Sequence, residues 1–276
     1  MKNIVAIHDI SCFGKCSLTV ALPILSAAGI ETAVIPTAVL STHTGGFSDY
    51  TYRDLTDDIL PIYRHWQSLG LTFDAAYSGY LGSEAQLAII EEIFADMTSK
   101  GALIIVDPVM ADDGVLYASF PQSFPAGMRR LCEKADIIVP NLTEAALLLG
   151  EEYVAGPYTR EYVEDVLRKL AAIPKKLAVL TGVYFEGDEQ RLGTASIDVA
   201  TGAIEYALAP RVPGSYHGTG DVFASALSAE LLLGKTPLDA MQTAAEFTAA
   251  AAQRTFDANT DRRYGVAFEP EMGRLL

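Results

Sequence analysis

Gly218-Thr219-Gly220-Asp221 stands between a loop, PRVPGSYH, and an apolar stretch of helical spacing, VFASALSAELLL. Glycines let the backbone approach a ligand closely, the first N–H groups of a helix lack intrahelical acceptors, and the helix dipole is positive at that end. Such a turn suits phosphate charge. A carboxylate within it can accept a proton from an attacking hydroxyl while the N–H groups stabilise a phosphoryl group in transfer. The same four residues also describe an ordinary helix start capped by Thr219 or Asp221, so the neighbourhood has to decide. No G-x4-G-K-[ST] motif is present, and phosphate chemistry here does not rest on a P-loop.

The elements that must position this turn read as repeated βαβ units around a mostly parallel sheet. Residues 3–8 form an apolar run of strand length, Leu18, Leu22, Leu25 and Ala28 share a helical stripe ended by Gly29, and 32–37 is a second strand. Residues 41–50, STHTGGFSDY, break the rhythm as a solvent loop or a flap over a pocket. Runs at 74–79, 102–107, 135–140 and 176–181 read as central strands, with helical spacing at 83–99, 122–134 and 159–172 as crossovers. Residues 192–209 read as an antiparallel edge hairpin, followed by helices at 218–233 and 237–253 and a short terminal helix. No linker, repeat or boundary divides the chain, so one domain over 1–276 is expected.

An open α/β sheet binds ligands beyond the carboxyl ends of its strands. Asp9, Ser78-Gly79-Tyr80, Asp107-Pro108, Asn141 with Glu144, and Thr181-Gly182 all fall at such ends. Each alone is an ordinary turn or cap residue; together they outline a site. Asp107, Asp112, Asn141 and Glu144 offer oxygen ligands of the kind Mg²⁺ accepts beside a nucleotide, and Asn141 and Glu144 equally satisfy a helix capping box.

Composition bounds the partners. Lys and Arg number 20 against 35 Asp and Glu, a net charge of −15, which disfavours nucleic acid and anionic membrane. The N-terminus has no signal-peptide pattern and no run reaches the roughly 18 apolar residues of a membrane span, so a cytoplasmic location is expected. Cys12, Cys16 and Cys132 suit reduced thiols, without zinc spacing, and Cys12 and Cys16 read as pocket lining. Trp66, Tyr63 and Phe73 read as helix packing, and His217, just before the glycine turn, as a neutral loop histidine.

Ser78-Gly79-Tyr80-Leu81-Gly82, Asp107-Pro108-Val109-Met110, Asn141-Leu142-Thr143-Glu144, Gly218-Thr219-Gly220-Asp221 and the His43-Thr44 loop together resemble the pyridoxal kinase family of the ribokinase-like superfamily, over nearly the whole chain. The resemblance implies an α/β fold, a central mostly parallel sheet flanked by helices with an antiparallel edge hairpin. It implies ATP-dependent phosphorylation of the 5′-hydroxymethyl group of pyridoxal, pyridoxamine or pyridoxine. Asp221 would be the base, with Gly218, Thr219 and Gly220 as the anion hole. His43, Thr44 and Tyr80 would surround the pyridine ring. Asp107, Asp112, Asn141, Glu144, Thr181 and Arg211 would serve Mg-ATP, with Asp107 and Glu144 reaching Mg²⁺ through water. A homodimer is expected, and a monovalent cation is left open.

The first strand departs from the family pattern, since it ends in Asp9-Ile10 where a Ser-His pair is usual and its serine contacts the pyridine. An aspartate there suits a protonated ring nitrogen or signals another substrate. Two alternatives stand beside this reading. One is a hydroxymethylpyrimidine (phosphate) kinase of thiamin synthesis, whose anion hole usually resembles Cys-Gly-Thr-Gly-Cys; the other is a non-catalytic vitamer- or nucleotide-binding protein. A sugar kinase is disfavoured because no inserted lid segment is evident.

Overall fold

Apolar runs of period two and longer stripes of helical period settle into eleven strands and eight α-helices among residues 1–275, which the computed structural model describes. The first part comprises β1 (Asn3–Ser11), α1 (Leu18–Ala27), β2 (Glu31–Leu40), β3 (Tyr52–Asp54), α2 (Thr56–Ser68), β4 (Ala75–Ser78) and α3 (Glu84–Ser99). The middle comprises β5 (Leu103–Val106), β6 (Ala111–Asp112), β7 (Val115–Leu116), α4 (Phe124–Cys132), β8 (Ile137–Ile138), α5 (Leu142–Leu149) and α6 (Arg160–Leu170). β9 (Leu177–Phe185), β10 (Asp188–Asp198), β11 (Ile204–Pro210), α7 (Thr219–Leu232) and α8 (Pro237–Ala258) complete the frame, followed by 3-10 turns at Arg262–Tyr264 and Glu269–Leu275.

Nine strands form one sheet in the order β11-β10-β9-β8-β5-β4-β1-β2-β3. The six strands from β2 to β9 are parallel, while β3 at one edge and the β10–β11 hairpin at the other are antiparallel. Alternate residues of each central strand enter two different cores. Val5 and Ile7 pack with Ile59, Phe94, Met128, Leu148 and Leu167 of α2 to α6, and Ile4 and Ala6 pack with α1, α7 and α8. Burial on both faces explains why these strands read as continuous apolar runs. Each fully buried Ile, Leu or Phe contributes about 1.5–3 kcal/mol, more than any local propensity difference, so packing decides where the elements end.

That priority accounts for the departures from the sequence expectation. β1 and β2 continue three residues past 8 and 37, because neighbouring segments bury His8, Asp9, Ser11 and Leu40. β9 does not stop at Thr181 but runs to Phe185, since β10 supplies an antiparallel partner there across a register irregularity opposite Gly193. α2 and α5 were signalled only by the Tyr63–Trp66 aromatics and the Asn141–Glu144 capping box, without bounds, and β3 and the two-residue strands β6 and β7 were not foreseen; the strands are too short to show a period. The terminal helix is a 3-10 turn.

Candidate active site

The strand order reverses at β1, which lies between β2 and β4, so the crevice opens beyond the carboxyl ends of β1 and β4. Asp9 lies in β1, two residues before its end and where its register against β2 slips; it is buried and accepts a hydrogen bond from Ser11 Oγ at 3.1 Å. Burial raises its pKa, and hydroxyls of Ser17 and Ser11 oppose the shift. Ser17, the N-cap of α1, holds φ 54° and ψ −129°, a strained backbone for a residue with a Cβ. Its backbone N–H faces the Asp221 carboxylate and its side chain faces Asp9. Serine before an apolar helical stripe is a readable N-cap signal, but its reach to two carboxylates is not.

Gly218 is the left-handed N-cap of α7, with φ 79°, and Asp221 lies in the first turn. A Cβ on Gly218 would stand 2.0 Å from the Lys15 carbonyl oxygen and 3.5 Å from Cys16 Sγ, so the β1–α1 loop packs directly on the glycine turn. Thr219 Oγ1 donates to the Tyr216 carbonyl at 3.0 Å, which fixes the turn and leaves the first N–H groups to face the crevice. α7 tolerates this close packing because its Ala and Ser residues bury nearly its whole circumference. Burial raises the Asp221 carboxyl to about 7; the Ser17 N–H opposes the shift and Asp9 adds to it.

On the other side, Asp107 is buried at the end of β5, and its pKa is driven upward by burial, then by Glu144 and Asp221. Asn141 and Glu144 form the capping box of α5: Asn141 Oδ1 accepts from the Glu144 N–H at 2.8 Å, and Glu144 Oε2 from the Asn141 N–H at 2.9 Å. Glu144 Oε1 also accepts from the Met110 N–H at 3.1 Å, and Asn141 Nδ2 donates to the Ala111 carbonyl at 2.9 Å. The pair thus joins the start of α5 to the β5–β6 connection. Burial pushes Glu144 up to about 8 despite these donors.

Asp112 is exposed on β6. Thr181 donates its N–H to the Pro140 carbonyl at 2.9 Å, just beyond β8. Arg211 lies at 4.2 Å over the Tyr184 ring and borders a cavity of about 470 Å³ with Glu189, Gln190, Pro213 and Gly214. Tyr80 leans on Phe120 at 5.6 Å between ring centroids. Tyr52 of β3, a residue the sequence reading passed over, places its hydroxyl where a Cβ of Gly82 would be, 2.6 Å away, and within the field of Tyr80 and Asp9.

Thr44 is exposed in the 41–50 loop, whereas both ring nitrogens of His43 are engaged, by the Arg263 carbonyl at 2.5 Å and the Gly45 N–H at 3.1 Å. Cys12 is exposed and Cys132 buried; burial, Asp221 and Asp9 all keep the Cys16 thiol protonated. His217 is exposed, its ring 5.1 Å from that of His43. Trp66 and Phe73 pack on each other at 5.4 Å, away from these residues.

Among the described residues no three His, Cys, Asp or Glu side chains converge as a metal cluster. The donor set nonetheless fits Mg²⁺ held largely by nucleotide and water. Asp107 and Glu144 are buried carboxyls with raised pKa values, and a nearby cation relieves the desolvation and repulsion that raise them.

The profile of the family described as phosphomethylpyrimidine kinase matches residues 24–265. The chain belongs to this family. It is a pyridoxal kinase-like phosphotransferase. A Bacteroides thetaiotaomicron protein, described as a candidate phosphomethylpyrimidine kinase and crystallised with pyridoxal, is 36% identical, with a TM-score of 0.94 over 99% of this chain and 95% of its own. Pyridoxal kinase from Lactobacillus plantarum is 35% identical, with a TM-score of 0.89 over 100% and 97%. Pyridoxal kinase from Leishmania donovani, crystallised with ADP and pyridoxamine, shares the fold at 22% identity, with a TM-score of 0.86 over 100% and 96%.

Proposed function

We propose that the protein transfers the γ-phosphoryl group of Mg-ATP to the 5′-hydroxymethyl group of a vitamin B6 vitamer. The observation that carries this reading is the joining of Asp221 to a glycine turn at the start of α7, with its carboxyl held near neutrality. A base poised near pH 7 takes a hydroxyl proton with little waste of driving force. Asp221 takes the proton of the 5′-hydroxyl as its oxygen bonds to the γ-phosphorus; the bond from that phosphorus to the bridging oxygen breaks, and ADP leaves. The N–H groups around Gly218, Thr219 and Gly220 stabilise the phosphoryl oxygens during transfer.

Asp9, buried beside Tyr80 and Tyr52, suits a protonated ring nitrogen, a charge-assisted contact worth more than a serine hydroxyl provides. Tyr80, with His43 and Thr44 of the 41–50 loop, encloses the ring. Asp107, Asp112, Asn141, Glu144, Thr181 and Arg211 form the nucleotide side, Asn141 by holding Glu144 and the β5–β6 connection in place. Mg²⁺, when bound beside Asp107 and Glu144 through water, supplies charge neutralisation of the phosphates. One kinase domain over 1–276, a cytoplasmic location and a homodimer belong to the same reading. No helix among the described residues is long and apolar enough to cross a membrane.

Steady-state assays with pyridoxal, pyridoxamine, pyridoxine and hydroxymethylpyrimidine, beside Asp221→Asn, test the proposal. Turnover of a vitamer is expected, with kcat about 10²- to 10⁴-fold lower in the variant. Turnover of the pyrimidine alone assigns the protein to thiamin synthesis instead, and absence of any turnover favours a binding protein.

A further inference from the structure

The 41–50 loop does not hang free over the crevice. The Arg263 carbonyl only accepts and the Gly45 N–H only donates, so His43 must carry its proton on Nε2 and leave Nδ1 bare. Its ring meets the edge of Phe47 at 5.0 Å, and a Cβ on Gly14 would stand 2.4 Å from its Cδ2. The Arg263 guanidinium lies 5.5 Å over Phe47, and the Tyr264 ring is parallel to Phe47 at 6.4 Å. Asp261 holds Arg263 through Nη2 at 2.6 Å and Nε at 3.1 Å. The Lys15 N–H donates to the Tyr264 carbonyl at 3.1 Å, and the Lys15 carbonyl is the atom packed against Gly218. Flap, anion hole and the turn at 261–265 therefore form one continuous contact.

Resting on the kinase reading, we infer that the turn Asp261–Gly265 is the post on which the substrate flap closes, with His43 as its latch and Arg263 and Asp261 as positioning residues. Arg263 and Asp261 touch neither vitamer nor nucleotide; they act by fixing Phe47 and the flap backbone over the bound ring. A closed flap excludes water from the transferring phosphoryl group, so a loosened one lets ATP be hydrolysed without transfer. A second proton on His43 would remove the acceptor for Gly45, and burial of the ring, with His217 beside it, disfavours that proton although the Arg263 carbonyl favours it.

Hydrogen exchange of segment 41–50 in the wild type, His43→Ala and Arg263→Ala tests the latch without any substrate. Faster exchange in both variants, confined to this segment and its contacts, is expected, with unchanged global protection. In Arg263→Ala, KM for the vitamer should rise about tenfold while kcat changes less, ATP hydrolysis per product should increase, and Arg263→Lys should recover part of both. Unchanged exchange overturns the latch, and faster exchange with an unaltered KM and coupling ratio overturns its positioning role. A wild type inactive on every vitamer refutes the kinase reading and leaves the exchange result standing alone.

Discussion

Replacing Asp221 by Asn should make the ligand-free protein more stable at alkaline pH while removing the proposed base. The carboxyl titrates near 7 in the folded chain against an ordinary 3.8, so between those values the folded state keeps a proton that the unfolded chain has released. Wild-type stability from this group is fully present below about 4 and is lost as pH rises through about 7. The shift corresponds to about 4 kcal/mol at 1.36 kcal/mol per pH unit. Part of the carboxyl faces the crevice and solvent screens it, so about 2–4 kcal/mol is expected. For a chain of this length that is roughly 3–7 °C in Tm. The assay is denaturant unfolding of both proteins at pH 4.5 and pH 8.5 without nucleotide; Asp9, Asp107 and Glu144 occur in both proteins and cancel to first order. At the lower pH, already above 3.8, the variant should gain no more than about 1 kcal/mol, and at the higher the full amount. An equal difference at both values would refute the picture of a desolvated carboxyl with a raised pKa.

Three substitutions separate strain from chemistry. Ser17→Gly relieves a backbone strain of about 1–3 kcal/mol against a glycine entropy cost of about 0.5–1, so denaturant unfolding should show a gain while kcat/KM falls as the hydroxyl facing Asp9 is lost. A destabilised, fully active variant would count against the role given to Ser17. Gly218→Ala should lose both stability and activity, because its Cβ collides with the Lys15 carbonyl at 2.0 Å and φ is 79°. Gly220→Ala should keep its Tm, since no protein atom lies within 4 Å of a Cβ there, yet lose at least about tenfold in kcat if that space serves the phosphoryl group as proposed. Thermal unfolding beside kinetics distinguishes the two glycines.

Much of the architecture was legible because strands buried on both faces and amphipathic crossovers leave strong periodic signals. The glycine turn that opens α7 was legible too, since Gly218-Thr219-Gly220-Asp221 is contiguous and precedes an apolar run. The capping box of Asn141 and Glu144 was visible as one of two readings, and the structure forms it. What spacing could not reveal is which residues meet across the fold. Ser17 reaches Asp221 over two hundred residues away, and Arg263 meets His43 only because α8 returns the chain to the crevice. β3 and the β6–β7 pair carry two or three residues each, too few for a period, and exist because a neighbouring strand satisfies their backbone groups. Sequence alone determined the central strands, the crossover helices and the residue types at their ends, because these depend on local pattern. Tertiary structure alone decided that Asp221 is desolvated to a pKa near 7 and that the flap is held by the C-terminal turn, because burial and long-range contact belong to the folded chain.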